Sequence, residues 1–304
     1  AGTSRGLGLS VNGQRPSASN FLLDGIENND YLVTGPATSV APEAVQEYAV
    51  SINGFSAEYG RSAGFIANAV TRAGGSQWHG TAYGNLKNEV LNANGFRENM
   101  LGQPRTPLKQ VQPGAQAGGP LFAKSLFISS AFDYLRSRSL AEGEEVTVPS
   151  TTFLAFTAPE SNARKLINRF APPAATNGPM PMAQTRITPL VSVNRLLLLE
   201  RLDWMPTGRR HRVMGRFAFS RLDRPDFIWS PYKDFISGLI HDNSSLAFGW
   251  IASLRPRVTN EFRFGWTRDD LHWDRAHPEI PALGALDGTV LPGSPAFYAF
   301  RHRG

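Results

Sequence analysis

Strict alternation of polarity over short stretches is the feature that most narrows what this chain can fold into. In residues 245–254, Leu246, Phe248, Trp250, Ala252 and Leu254 fall on one side, and Ser245, Ala247, Gly249, Ile251 and Ser253 on the other. Residues 261–267 repeat the pattern, with Phe262, Phe264 and Trp266 against Glu261, Arg263, Gly265 and Thr267. Residues 212–221 set Val213, Gly215, Phe217 and Phe219 against Arg212, Met214, Arg216, Ala218 and Ser220. A period of two means β-strands whose two faces meet different surroundings. In residues 194–204 the pattern is less clean, because Glu200 interrupts Leu196, Leu198, Leu202 and Trp204. Earlier strands are expected over 80–87, 110–118 and 126–136, about seven in all.

Alternation fits both a soluble sandwich and a membrane barrel, since the apolar face meets another sheet in one and lipid in the other. The connections separate the two. They run long (88–109), short (119–125), very long (137–193), short (205–210), long (222–243), short (255–258) and long again from 269. Tight turns on one rim and extended loops on the other are the rhythm of an outer-membrane barrel. Compact soluble domains seldom mix such extremes. Trp204, Trp250 and Trp266 are candidates for an aromatic girdle at the lipid interface. No run approaches the ~20 apolar residues of a membrane helix.

Composition agrees with a turn-rich β-protein: 29 Gly and 22 Pro among 304 residues, with 18% charged. The absence of cysteine rules out disulfides, thiol catalysis and Cys-ligated zinc. The net charge of +6 comes from dispersed arginines. Their one tight cluster, Arg209, Arg210 and Arg212, sits in an expected hairpin turn, so no nucleic-acid face is implied. The first third differs, with short apolar runs at 20–26, 44–50 and 65–70. A helix is expected over 42–48, from Pro42, Glu43 in the first turn and Ser39 as an upstream cap. This small α+β unit closes at Ala73-Gly74-Gly75-Ser76. Within the very long connection, residues 161–170 also read as a helix, with Ser161 as cap, Leu166, Ile167 and Phe170 at helical spacing, and Pro172-Pro173 as the stop.

Particular words in the first 140 residues resemble the plug of TonB-dependent outer-membrane receptors, most closely the large Oar-like branch with a carboxypeptidase-regulatory-like domain. They are NGQRP at 12–16, NFLLDG at 20–25, PEAVQEY at 42–48, FSAEYGRSA at 55–63 and ANAVTR at 67–72. QWHGTAY at 77–83 resembles the first barrel strand, and QAGGP at 116–120 with residues 126–136 the next hairpin. Phe65 departs from the family, which usually has a second Gly there. The resemblance implies a mainly β protein: residues 1–76 as an N-terminally truncated α+β plug, and 77–304 as the first part of an antiparallel transmembrane barrel. The plug signature covers Asp24, Gly25, Glu47, Glu58, Tyr59, Gly60, Arg61 and Gly64, with Asp24, Glu47, Glu58 and Arg61 expected to face polar lumen walls. It further implies active import of a bulky, scarce solute (siderophore, glycan, cobalamin or peptide) across the outer membrane, driven by the TonB complex, with outer-membrane lipid around the barrel. No cofactor and no enzymatic activity are implied. No TonB box, signal peptide or regulatory domain is read before Ser10. About seven strands also fall short of the ~22 that enclose a plug. The expectation is therefore a piece of a longer receptor.

Three other readings compete. A surface or secreted β-rich binding or adhesion domain would show the same alternation without transport. Gly60-Arg61-Ser62-Ala63-Gly64 spells the nucleophile elbow of hydrolases, with Asp203, Asp242, His241 and His272 as downstream partners. The elbow needs a buried strand before the serine and a helix after it, and neither 57–59 nor 65–70 supplies one. His272, Asp274, His277 and Glu279 form a loose set that no helix brings onto one face, so no metal site is expected from them.

Overall fold

A computed structural model describes residues 10–31, 35–56, 59–60, 62–122, 125–141, 143–170, 182–206, 208, 210–226, 229–232, 237–275 and 300–303. The chain is mainly β and builds two bodies, a small N-terminal unit and a large antiparallel sheet against which it lies.

The N-terminal unit is a four-stranded sheet in the order β2-β1-β6-β5, formed by β1 (Asn20–Leu23), β2 (Ile26–Glu27), β5 (Val45–Ser51) and β6 (Ile66–Thr71). A separate two-stranded ladder joins β3 (Asn29–Asp30) to β4 (Gly35–Pro36). All four residues of β1 are buried, as its central place demands: β2 flanks it antiparallel and β6 parallel. The turn between β1 and β2 is Asp24-Gly25, at φ 55° and 73°. Two left-handed residues in a two-residue loop match the right-handed twist of the strands, and Asp-Gly is the pair that tolerates them best. Phe65 packs edge-on against Phe21, centroids 5.3 Å apart, so the aromatic at this position fills the unit's core.

The helix expected over 42–48 is a correction. Only Pro42–Ala44 turns, as a single 3-10 turn without a side-chain cap, and Val45 opens a strand paired to β6. Val45, Tyr48 and Val50 favour extended backbone, and the ladder to β6 outweighs the helix-start signals. Among its described residues the unit holds no α-helix.

The large sheet has eight strands in the order β16-β15-β14-β13-β12-β9-β8-β7. They are β7 (His79–Asn88), β8 (Leu108–Phe122), β9 (Leu126–Leu140), β12 (Leu190–Trp204), β13 (His211–Pro225), β14 (Ser237–Arg255), β15 (Val258–Arg275) and β16 (Phe300–Arg303). The sheet is open, with β7 and β16 at its edges. β9 and β12 are neighbours because the connection between them leaves the sheet and returns. It carries a separate hairpin of β10 (Glu144–Pro149) and β11 (Met182–Ile187), a short helix (Thr151–Phe156) and a longer one (Asn162–Phe170). The longer one starts where the sequence places it: Ser161 Oγ accepts from Arg164 N at 3.3 Å, and Ile167 and Phe170 are buried. Pro172-Pro173, read as its stop, lies outside the described residues.

Strands reach further than hydrophobic alternation indicates. β14 and β15 have 19 and 18 residues, where ~9–11 cross a bilayer. Residues 222–225, 237–243 and 269–275, expected in loops, are strand. In these extensions the polarity of the faces changes: Leu239 and Leu271 turn inward and are buried, while Arg221, Asp242 and Asp270 form a row on the outer face, so the alternation of the strand centres does not carry through.

The two faces of this sheet are inverted relative to a soluble protein. Trp204, Phe217, Leu246, Phe248, Trp250, Phe262, Phe264 and Trp266 are exposed on the outer face, while Arg201, Asp203, Arg216 and Asp133 are buried on the inner one. The outer belt begins at the cross-strand row Trp204, Val213, Trp250, Phe262 near the short turns. It ends at the row Arg221, Asp242, Asp270, where the ion pair Arg221–Asp242 (3.5 Å) opens a polar zone. From Val213 to Arg221 is roughly 27 Å along the strand, a little over 20 Å once tilted, near the ~25 Å height of a lipid-facing band. Trp204 and Trp250 mark its lower edge; Trp266 pairs with Leu246 in the middle. Glu200 breaks the belt, its carboxylate accepting from Ser130 Oγ at 2.5 Å.

Phe217→Arg, placing a charge in mid-belt, is expected to cost roughly 2–4 kcal/mol of folding into phospholipid vesicles. Glu200→Leu is expected to be neutral or stabilising. Urea titration followed by heat-modifiable migration measures both.

Candidate functional site

The N-terminal unit meets the inner wall first through an apolar row. Ala131, Leu199 and Ala218 lie in register across β9, β12 and β13, and Leu23, Ala41 and Ala44 of the unit close over them. The alanines flanking Leu199 leave it protruding, so it keys into the unit. Close to this row lie the buried charges.

Asp24 is the hub. Its position in the left-handed turn carries the carboxylate past the end of β1, where Thr71 donates through its backbone N–H (2.8 Å) and its hydroxyl (3.0 Å). Two guanidiniums of the wall reach the same carboxylate: Arg201 Nη1 at 3.4 Å from Oδ1 and Arg216 Nη1 at 3.3 Å from Oδ2. Arg201 also donates to the Thr71 carbonyl (2.6 Å) and holds Asp203 in a two-pronged pair at 2.7 and 3.0 Å. Arg216 donates to Ser245 Oγ at 2.8 Å. The Asp24 and Arg216 side chains are 5% and 0% exposed. Arg201 has a second carboxylate; for Arg216, Asp24 is the ion-pair partner among the described residues. Removing Asp24 therefore leaves Arg216 charged, buried and unmatched.

Further residues of the signature fall differently. Gly25 donates its N–H to Asn68 Oδ1 at 3.1 Å and lies against Arg263 of β15, where a Cβ would sit 2.6 Å from Nη1. Gly64 is buried against Ala18 and Ser19, and its N–H donates to the Ala18 carbonyl. Tyr59 is half-buried with its carbonyl 3.5 Å from Asn20 Nδ2; Gly60 is exposed. Glu47 is exposed on β5, where it pairs with Val70 of β6. Glu58 and Arg61 lie outside the described residues. Beyond β6 the chain passes close to the wall: a Cβ on Gly74 would meet the Ile128 carbonyl oxygen at 2.3 Å, so only glycine fits.

Ser62 is a loop staple. Its hydroxyl donates to the Phe65 carbonyl at 2.8 Å, with the Ala18 carbonyl at 3.1 Å, and the residues after it enter strand β6 rather than the helix an elbow requires. Its supposed partners are engaged elsewhere: Asp203 with Arg201, Asp242 with Arg221 and His241 with Asp269. His272 and Asp274 lie on β15, and His277 and Glu279 fall outside the described residues.

Two features escape sequence reasoning. One is the pair of wall arginines, whose only local sign is their place on the polar side of their strands. The other is a cluster at the long-loop rim, where His241 Nε2 of β14 lies 2.5 Å from Asp269 Oδ1 of β15 and 3.8 Å from Asp30 Oδ2 of β3.

Comparison with known proteins follows the same lines. The family described as an outer membrane beta barrel domain matches residues 70–301. The TonB-dependent transporter Oar of Myxococcus xanthus is 30% identical over 129 residues, which are 41% of this chain and 12% of Oar. Among solved structures, the outer membrane transporter YddB of Escherichia coli superposes with TM-score 0.65 at 11% identity, over 99% of this chain and 39% of its own. The siderophore receptor PirA of Acinetobacter baumannii superposes with TM-score 0.54 at 16% identity, over 97% and 37%. This chain thus spans well under half the length of these relatives, which are transporters and receptors, not enzymes.

Asp24→Asn is expected to weaken docking of the N-terminal unit by roughly 3–5 kcal/mol, the cost of a buried charge left without its partner. Adding Arg216→Met should recover much of that loss, giving a coupling above about 1 kcal/mol. Hydrogen exchange of residues 20–27 under native conditions measures both.

Proposed function

Because the chain belongs to the outer membrane β-barrel domain family and resides in the outer membrane, we propose that it is the plug and first barrel strands of a TonB-dependent receptor importing a bulky, scarce solute. In this reading the short turns face the periplasm and the long connections the exterior. The N-terminal unit, residues 10–76, is the plug; residues 77–304 form part of the wall, completed around the plug by further strands. The solute is a siderophore, glycan, cobalamin or peptide, and the TonB complex supplies the pull that dislodges the plug. The likeness to the TonB-dependent transporter Oar supports this assignment.

The observation that carries it is the Asp24 carboxylate held between Arg201 and Arg216. A body that must stay seated and then move needs contacts that are strong when dry and cheap to replace with water. A buried ion pair has that character: its charges attract in the low-dielectric interface and are well solvated once water enters. A surface adhesion domain has no need to bury two guanidiniums against a separate small sheet.

The chain contains no cysteine, so a tether can be added cleanly. A Cβ on Gly265 of β15 would lie 3.5 Å from Ile26 Cβ, within disulfide range. Ile26→Cys with Gly265→Cys is expected to cross-link the unit to the wall. In cells making the receptor, Asp24→Asn should raise vancomycin sensitivity, the cross-link should suppress that leak, and reductant should restore it. Deletion of residues 10–71 without any increase in leak would sink the plug assignment.

A further inference from the structure

The cluster at the long-loop rim stands apart from the Asp24 site and from the transport reading. We propose that Asp30, His241 and Asp269 form a divalent-metal site, of zinc type, that clasps the N-terminal unit to two strands of the wall.

The three ligand atoms lie within 4.8 Å of one another: one from β3 of the unit, one from β14 and one from β15. His241 and Asp269 are diagonal neighbours on the inner face, since Asn243 pairs with Asp269 and His241 with Leu271. All three side chains are shielded, at 1%, 14% and 13% exposure. A tetrahedral ion with bonds of ~2.1 Å holds its ligand atoms ~3.4 Å apart. The 3.8 Å from His241 to Asp30 lies just above that value and the 2.5 Å to Asp269 below it. Loading the ion thus asks Asp269 to swing back by about 1 Å, a side-chain adjustment that leaves the ladder intact.

Charge and space point the same way. Two carboxylates facing one imidazole gather three donor atoms whose charge a divalent cation between them would match. An imidazole with two carboxylates is a donor set that suits zinc and its neighbours better than calcium or magnesium. Asp30 and His241 border a cavity of 240 Å³, room for water or a solute donor at the remaining coordination position. The cavity's three arginines have carboxylates of their own: Arg195 pairs with Asp133 at 3.2 Å, Arg221 with Asp242 at 3.5 Å, and Arg224 lies beside Asp226. An ion here joins the unit to the wall at the rim opposite the short turns, so its occupancy sets how firmly that end is seated.

The test is calorimetric titration of the metal-stripped, intact protein in detergent micelles with Zn²⁺ alone. The expected result is saturable binding of one ion per chain. Asp30→Asn, His241→Gln and Asp269→Asn should each weaken it at least about ten-fold, the smaller end of what loss of even a supporting contact costs. Asp242→Asn on the outer face and His211→Gln at the other rim should leave it unchanged. Should a variant fail to fold, wild-type protein carries the test: Zn²⁺ should protect residues 10–71 from protease and chelator should reverse it. The proposal is overturned if wild type shows no saturable binding, or if Asp30→Asn binds as tightly as wild type. It is equally overturned if retention of the unit responds to pH between 5 and 8 but not to zinc, which would make a proton on His241 the sole occupant.

Discussion

A guanidinium taken out of water must meet a carboxylate, and in this protein the carboxylate comes from a different body. Arg216 is fully buried on the inner wall, and the acid that matches it is Asp24, at the tip of a two-residue turn in the N-terminal unit. The wall and the unit therefore cannot be arranged independently. With the two bodies in contact, neither charge can be removed without leaving the other buried and unmet. Leu199 between Ala131 and Ala218 adds the non-directional part of the contact, and the ion cluster adds the directional part that sets register.

The same constraint explains why the sheet is inside-out. Lipid accepts Phe, Leu and Trp on the outer face, so the polar residues of each strand point inward. Inward polar groups need partners. Asp133 shows the solution along the wall, where Tyr83, Gln112 and Arg195 converge on one carboxylate from three strands at 2.8, 2.8 and 3.2 Å. Asp24 shows it between bodies. Above the belt the outer face turns polar, and the strands run on into water, held by their ladders and by pairs such as Arg221–Asp242.

The N-terminal unit is consequently engaged at more than one level. Asp24 sits mid-sheet, toward the short turns, and Asp30 reaches His241 and Asp269 near the long connections. The first contact is a fixed ion pair. In the proposed reading the second depends on what occupies it, so the two ends of one small body would answer to different signals.

Much of this fold was legible in the residues. Period-two alternation identified the long strands, and short connections marked hairpin neighbours such as β12–β13 and β14–β15, because the two faces of a strand and a tight turn are both imposed locally. Asp24-Gly25 announced a tight turn and Ser161 a helix cap, each through chemistry confined to a few neighbours. Local signals also misled: Pro42 and Glu43 announced a helix, and the ladder to β6 made Val45–Ser51 a strand. What the sequence could not supply was partnership. Asp24 meets Arg201 and Arg216 across 177 and 192 residues, and Asp30 meets His241 from another body. No periodicity encodes such pairs. They exist only once two sheets, each determined by its own polarity, are brought face to face, and burial then makes every charge at the contact depend on the one opposite.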